Sequence, residues 1–410
     1  MFCTWLKRHS WFVLLVYTHL WTSMAQSLLQ PYFPPLAASR GIEAWKYAFV
    51  FSAYKVTRTL ASMAGDKLMA LTSVRRVFFV AQPGMNVFAV ILGALYWSGS
   101  GNTLLAASLT LATLGGVIEG LYGVSLYTAA AVAYPGNTGV AIATLDSTWG
   151  VGHMLGSAIG GALVNLWAYP LPFFVLGTVA LLSTPLLAAR RAPEEKGTDP
   201  TPDVKCATPV PNYYKLLVDP HFVIDIVSMM LSWVIMGFNE PTMEPYLAEF
   251  NLNSAQIGVV FMVQYASYTL GSICSAIFCS YKMEAGFGLT GHLFAVFAYI
   301  LLGPAPFIPC EPTLWMAYVA QVFIGIGTAA QFACHYCHAI EELSFCRQHG
   351  YLDKTRTIGF VSSVVFSSLV IGAIVTSPIA GYLVGAFGYR NGSMALLGLL
   401  VVWVSLHCSI

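Results

Sequence analysis

The run QPYFPPLAASRG, residues 30–41, recurs as EPYLAEFNLNS, residues 244–254: an amide or acid, then Pro-Tyr and an aromatic or leucine. A lysine follows each copy at nearly equal spacing, Lys67 and Lys282, and GSAIGGALV, from Gly156, recurs as TSPIAGYLV, from Thr376. Two copies of one plan in a very apolar chain predict a membrane protein built from two homologous halves. Halves that face each other across the bilayer suit alternating access to its two sides.

Composition supports that reading. Of 410 residues, 57% are hydrophobic and only 9% are charged, against about 25% charged in a soluble globule. The net charge of +1 gives no basis for a nucleic-acid partner. Nine cysteines at irregular spacing, mostly inside apolar stretches, read as small packing residues rather than a disulfide framework. Lys7 and Arg8 precede an apolar stretch that runs on to the prolines at 31–35, which predicts a retained first helix rather than a cleaved leader.

A spanning helix needs about 20 mostly apolar residues, and twelve stretches meet that measure. The fold class expected is therefore an all-α membrane protein with six spans in residues 1–189, a Pro-rich, mixed-charge linker in 190–220, and six spans in 221–410. Under this count Lys7, Arg8, Lys67, Arg75, Arg76, the linker cations, Lys282, Arg347, Lys354 and Arg356 fall on one side, leaving little but Arg40 and Arg390 on the other. That bias predicts cytosolic termini.

The loop GDKLMALTSVRR resembles the loop pattern of the major facilitator superfamily, keeping Gly65, Asp66, Lys67, Arg75 and Arg76. Its counterpart in the second half has Tyr281 where an acid is expected. Within that superfamily, QPYFPPLAASRG, AYPGNTGVAIATLDSTWGVGHMLGSAIGGAL, GFNEPTMEPYLAEFNLNSAQIGVVF and RQHGYLDKTRTIGFVSS resemble the vesicular amine transporters of solute carrier family 18, in the polyamine branch. The resemblance implies a monomeric carrier without enzyme activity, cofactor or metal. It also implies a multi-pass protein of acidic or secretory vesicles that exchanges protons for a small organic cation.

A carboxylate inside a span costs about 2.5–3.5 kcal/mol at the helix centre, so it persists when paired or functional. Glu119, Asp146, Glu240 and Glu341 are such acids, and the resemblance places an acid at each position in the polyamine branch. Burial raises a carboxyl pKa and an arriving cation lowers it, so one site can trade a proton for a substrate ammonium group. Glu240 and Glu341, with His338 and Tyr32, are expected to bind the cation, and Glu119 and Asp146 to couple protons. Pro241 and Pro245 are expected to break the seventh span and free backbone carbonyls around a cavity, as Pro31 and Pro34 do in the first.

Lys55 and Arg58 share one face of the second span, and the resemblance puts a glutamate where Arg58 stands. Three readings stay open: internal pairing with Glu119, Asp146 or Glu341, snorkelling to the interface, or an anion site. The last would make the protein an exporter of drugs or organic anions. A decayed, transport-inactive membrane protein is a further reading, given Tyr281 and Ser157 in place of motif residues. In the tenth span Cys334, His338 and Glu341 share a face, which leaves cavity lining, packing or a thiolate–imidazole metal site open for His338. Gly152, Gly156, Gly160 and Gly161 have the small-residue spacing that lets helices approach closely, and Pro378 and Gly381 hold the matching positions in the second copy.

Overall fold

The computed structural model describes residues 10–99, 101–133, 138–188, 219–303, 305–306, 308–346 and 354–407. Much of the expected linker and the expected terminal cations Lys7 and Arg8 lie outside them. In the N-terminal half the helices are α1 (Ser10–Gln26), α2 (Leu29–Ser39), α3 (Ala44–Leu71), α4 (Val74–Ala94), α5 (Gly101–Ala133), α6 (Thr138–Leu166) and α7 (Pro170–Ala188). The C-terminal half holds α8 (Pro220–Ala248), α9 (Ser254–Ser280), α10 (Glu284–Leu302), α11 (Leu314–Cys346) and α12 (Lys354–His407). Among the described residues eight stretches are long and apolar enough to cross a bilayer. The second span, α3, falls outside that set because it carries Lys46, Lys55, Arg58, Asp66 and Lys67.

Two local effects explain how these helices match the expected spans. Pro31 has no N–H for the carbonyl four residues back, and the first span is interrupted just there, between α1 and α2. Near the other end of the chain, Gly388 adopts φ 74° and ψ 165° inside α12, a region that only glycine occupies readily. That residue turns one long helix into two spans. Joining α1 to α2 and dividing α12 gives a helix order that fits the twelve expected spans.

Side-chain caps set other boundaries. Ser73 Oγ accepts from the Arg76 N–H at 3.2 Å to open α4, and Asp219 caps α8 ahead of Pro220. Asn253 and Gln256 cap each other reciprocally at α9, at 2.9 and 3.0 Å. The burial pattern is that of a bilayer protein, with Val80 and Leu182 facing outward while Gln82, Asn86, Gln321 and Gln331 are wholly buried. Arg40 and Arg390, the cations expected on the sparse side, are both spent on carbonyls at loop ends: Arg40 Nη2 on Tyr96 O at 2.8 Å and Arg390 Nη2 on Ile308 O at 2.7 Å.

The helices α3 and α5 cross with almost no space between backbones. A Cβ on Gly116 would stand 2.2 Å from Thr57 Oγ1 and 2.3 Å from Tyr54 O, and one on Gly120 2.3 Å from Arg58 O. Gly116→Val is therefore expected to destabilise the protein by at least about 2–3 kcal/mol, since neither helix can yield locally. Thermal unfolding followed by size-exclusion fluorescence measures this, and an unchanged midpoint would refute the crossing.

Candidate functional site

That close crossing is what brings opposite charges together in the bilayer. Lys55 and Arg58 lie on α3 and reach in different directions. Lys55 Nζ stands 2.5 Å from Glu240 Oε2 on α8, and Arg58 Nη1 stands 3.5 Å from Glu119 Oε1 on α5. Glu119 is one of the acids considered for this role in the sequence; Glu240 as the partner of Lys55 is not. The Lys55 and Glu240 side chains are 9% and 18% exposed, and the Ser377 hydroxyl also donates to Glu240 Oε2, at 3.4 Å. Lys55 and Glu240 belong to different halves, so this pair ties the halves together. Both cations considered for an anion site are thus held by carboxylates.

Asp146 stands differently. Its side chain is exposed, and its carboxylate accepts the Tyr127 hydroxyl at 2.5 Å. Among the described residues no cation lies within ion-pair distance of it. Trp149 and His153 follow Asp146 at the spacings that keep them on its face of α6. The Trp149 ring lies 6.2 Å from Tyr265 and 6.3 Å from Tyr268 on α9, and the His153 ring 5.1 Å from Tyr265. One carboxylate beside an aromatic wall from both halves is a surface that attracts an organic ammonium group.

Other expected residues are placed as follows. The Tyr32 hydroxyl donates to Ser157 O at 2.5 Å, and its side chain is 3% exposed, so in this conformation it packs a seam rather than a cavity. Helix α8 is not broken by Pro241 and Pro245, contrary to expectation. Pro245 lacks the N–H that would satisfy Pro241 O, and the Tyr47 hydroxyl of the other half supplies it at 2.8 Å. Glu244, one turn beyond Glu240, is buried. Glu341 lies in α11, with its side chain outside the described ones.

His338 Nδ1 lies 2.8 Å from Asp225 Oδ2. Asp225 Oδ1 meets His335 Nδ1 at 2.9 Å, and the carboxylate is only 3% exposed. The sequence reading passes over Asp225 because it falls close to the start of its span. An acid six residues after Asp219, inside an apolar run, is nonetheless a signal by the same cost argument. Tyr127, Trp149, Tyr265 and Tyr268 are also missed, since a lone aromatic in a lipid-soluble helix carries no distinguishing pattern.

The glycine stripe divides by function. Cβ atoms on Gly152 and Gly156 would strike Ser23 and Met24 of α1, and one on Gly160 would strike Leu28, all within the N-terminal half. Gly161 instead faces Ser254 and Ala255 of the C-terminal half, with clearances of 2.4 and 2.8 Å, and Gly381 faces Ala44 and Trp45 across the same boundary. Pro378 lies within α12, one turn before Tyr382. At the opposite end of the bundle, Gly65 is buried against Leu121 and Val124, while Lys67, Arg75 and Arg76 are exposed and the Asp66 side chain lies outside the described ones.

Two six-span halves meeting around charged and aromatic side chains define a multi-pass membrane transporter rather than an enzyme. The chain belongs to the major facilitator superfamily, whose family model matches residues 15–341. It is 24% identical to the human MFS-type transporter SLC18B1 over 94% of this chain and 83% of that one. Its mouse counterpart is 25% identical with the same coverage. The Drosophila melanogaster vesicular acetylcholine transporter is 25% identical over 136 residues, covering 33% of this chain and 22% of that protein. A bacterial homologue of the human lysosomal transporter Spinster, in an inward-facing and occupied conformation, superposes with a TM-score of 0.70 at 14% identity, covering 98% and 96% of the two chains. The nucleoside transporter NupG gives 0.70 at 11% identity, covering 97% and 98%. At such identities these two structures establish a shared fold.

Proposed function

We propose that the protein exchanges protons for a small organic cation, such as a polyamine or monoamine, across a vesicular membrane. The observation that carries this reading is Asp146, an exposed carboxylate whose bonded partner is a neutral phenol and whose neighbours are aromatic rings. A cargo ammonium group would sit between Asp146 and those rings. Glu240 already faces the ammonium of Lys55, so its part in this reading is to carry a proton. Taking one up discharges the carboxylate and releases Lys55, and one tie between the halves is lost. These roles interchange those expected of Glu240 and Asp146 from sequence; Glu119, paired with Arg58, is the second proton carrier. The two halves, 1–189 and 221–410, would rock about this pair.

Acid-inside proteoliposomes holding the wild-type protein should accumulate labelled spermidine and release it when a proton ionophore is added. Asp146→Asn should reduce uptake to that of empty vesicles while the protein elutes normally from a sizing column. Uptake unchanged in Asp146→Asn would overturn the site, and wild-type uptake indifferent to the ionophore would overturn the coupling.

A further inference from the structure

Away from Asp146, three imidazoles converge where α10, α11 and the last turn of α12 meet. One ligand nitrogen from each of His292, His335 and His407 lies within 4.8 Å of the others. Ring centroids are 5.4 Å apart for His292–His335, 5.8 Å for His292–His407 and 5.3 Å for His335–His407. The first two side chains are buried, at 0% and 2% exposure. Buried imidazole nitrogens normally find a partner, because an unmet polar atom in a dry interior costs about 1–3 kcal/mol. Here both nitrogens of His292, Nε2 of His335 and Nδ1 of His407 have none among the described residues.

The surroundings are those of a ligand set. His335 Nδ1 is bonded to the buried carboxylate of Asp225 at 2.9 Å, which fixes the ring and turns Nε2 toward the other two histidines. A carboxylate on the far nitrogen is the usual outer support of a metal-bound imidazole. On α10, Gly288 stands one turn before His292, and a Cβ there would come within 2.9 Å of His335 Nε2, so glycine leaves room for that ring. His407 is only partly buried, which gives an entry path from the end of the bundle. Zn–N bonds of about 2.0–2.1 Å in a tetrahedral set require nitrogens roughly 3.3 Å apart. Small rotations of the three rings on metal binding would close the difference.

We propose that His292, His335 and His407 bind one divalent transition metal, with Zn2+ the best fit to an all-imidazole set with an open fourth position. The ion would pin three helices of the C-terminal half at the end that carries Lys67 and Arg75 in the other half. No part of this depends on which solute is carried.

The test uses the untagged full-length protein in detergent, stripped with a chelator and titrated with Zn2+ against a chromophoric competitor. One tight equivalent per chain is expected. It should weaken by at least about 100-fold in His335→Gln and by about 10- to 100-fold in Asp225→Asn. A tight equivalent that persists in the triple His292→Gln/His335→Gln/His407→Gln protein would overturn the site, as would its absence from the wild type. Should the variants fail to fold, zinc-edge X-ray absorption of the loaded wild type decides: imidazole scattering alone supports the site. Sulfur in the first shell, from Cys279, Cys334 or Cys337, refutes it.

Discussion

Replacing Lys55 with methionine is expected to destabilise the folded protein by about 3–5 kcal/mol, the cost of leaving a buried charge without its partner. Glu240 would then hold a carboxylate that is 18% exposed, with the Ser377 hydroxyl, at 3.4 Å, and the more distant Arg58 to compensate it. Glu240→Gln strands the Lys55 ammonium instead and should be similarly unstable. The double variant Lys55→Met/Glu240→Gln removes both charges at once and should recover most of the loss, because a buried pair replaced as a unit is nearly neutral for stability. Thermal midpoints of the four proteins close the cycle, and a coupling below about 0.5 kcal/mol would mean that the two charges do not interact. Transport separates stability from mechanism. The double variant removes the Lys55–Glu240 tie but leaves Glu119 in place, so its spermidine uptake should lose part of its dependence on the pH gradient.

The pairing behind that expectation shows what the sequence hides. The cost of charge in lipid makes it clear from residues alone that Lys55 and Arg58 need partners, and the acids available are few. Which acid serves which cation depends on how α3 packs between α5 of its own half and α8 of the other. Lys55 and Glu240 are separated by most of a half in sequence, and no periodicity records their contact. The twelve spans, in contrast, are legible because bilayer thickness fixes their length and every backbone group must be satisfied within the helix.

Prolines were legible as positions but not as consequences. Pro31 coincides with the break between α1 and α2, whereas Pro241 and Pro245 sit in an unbroken α8 because Tyr47 of the other half supplies a missing donor. A substitute donor from a distant helix cannot be read from the helix it rescues. The same limit hid Asp225, whose meaning emerges only with His335 and His338 beside it.

Filling the seam between halves should abolish transport while leaving each half intact. A Cβ on Gly258 would stand 2.3 Å from Ser157 O and 2.7 Å from the Tyr32 hydroxyl, and one on Gly161 would stand 2.4 Å from Ser254 O. Both obstacles are largely backbone of the facing half, so no side-chain rotation relieves them. The atoms nearest a Cβ on Gly258 all belong to the facing half, and a larger residue there therefore penalises only the conformation in which this end is closed. Gly258→Leu should lower spermidine uptake to background with a thermal midpoint close to wild type, in contrast to Gly116→Val. It should also leave the seam open. Ser157, wholly buried here, reports this when replaced by cysteine in a protein whose native cysteines are serine. Its reaction with an impermeant maleimide should be slow in the Gly258 background and at least about tenfold faster with leucine, as expected for a population shift of about 1.4 kcal/mol or more toward the open state. Normal uptake in Gly258→Leu, or equal labelling in the two proteins, would mean that the halves do not separate along this seam during transport.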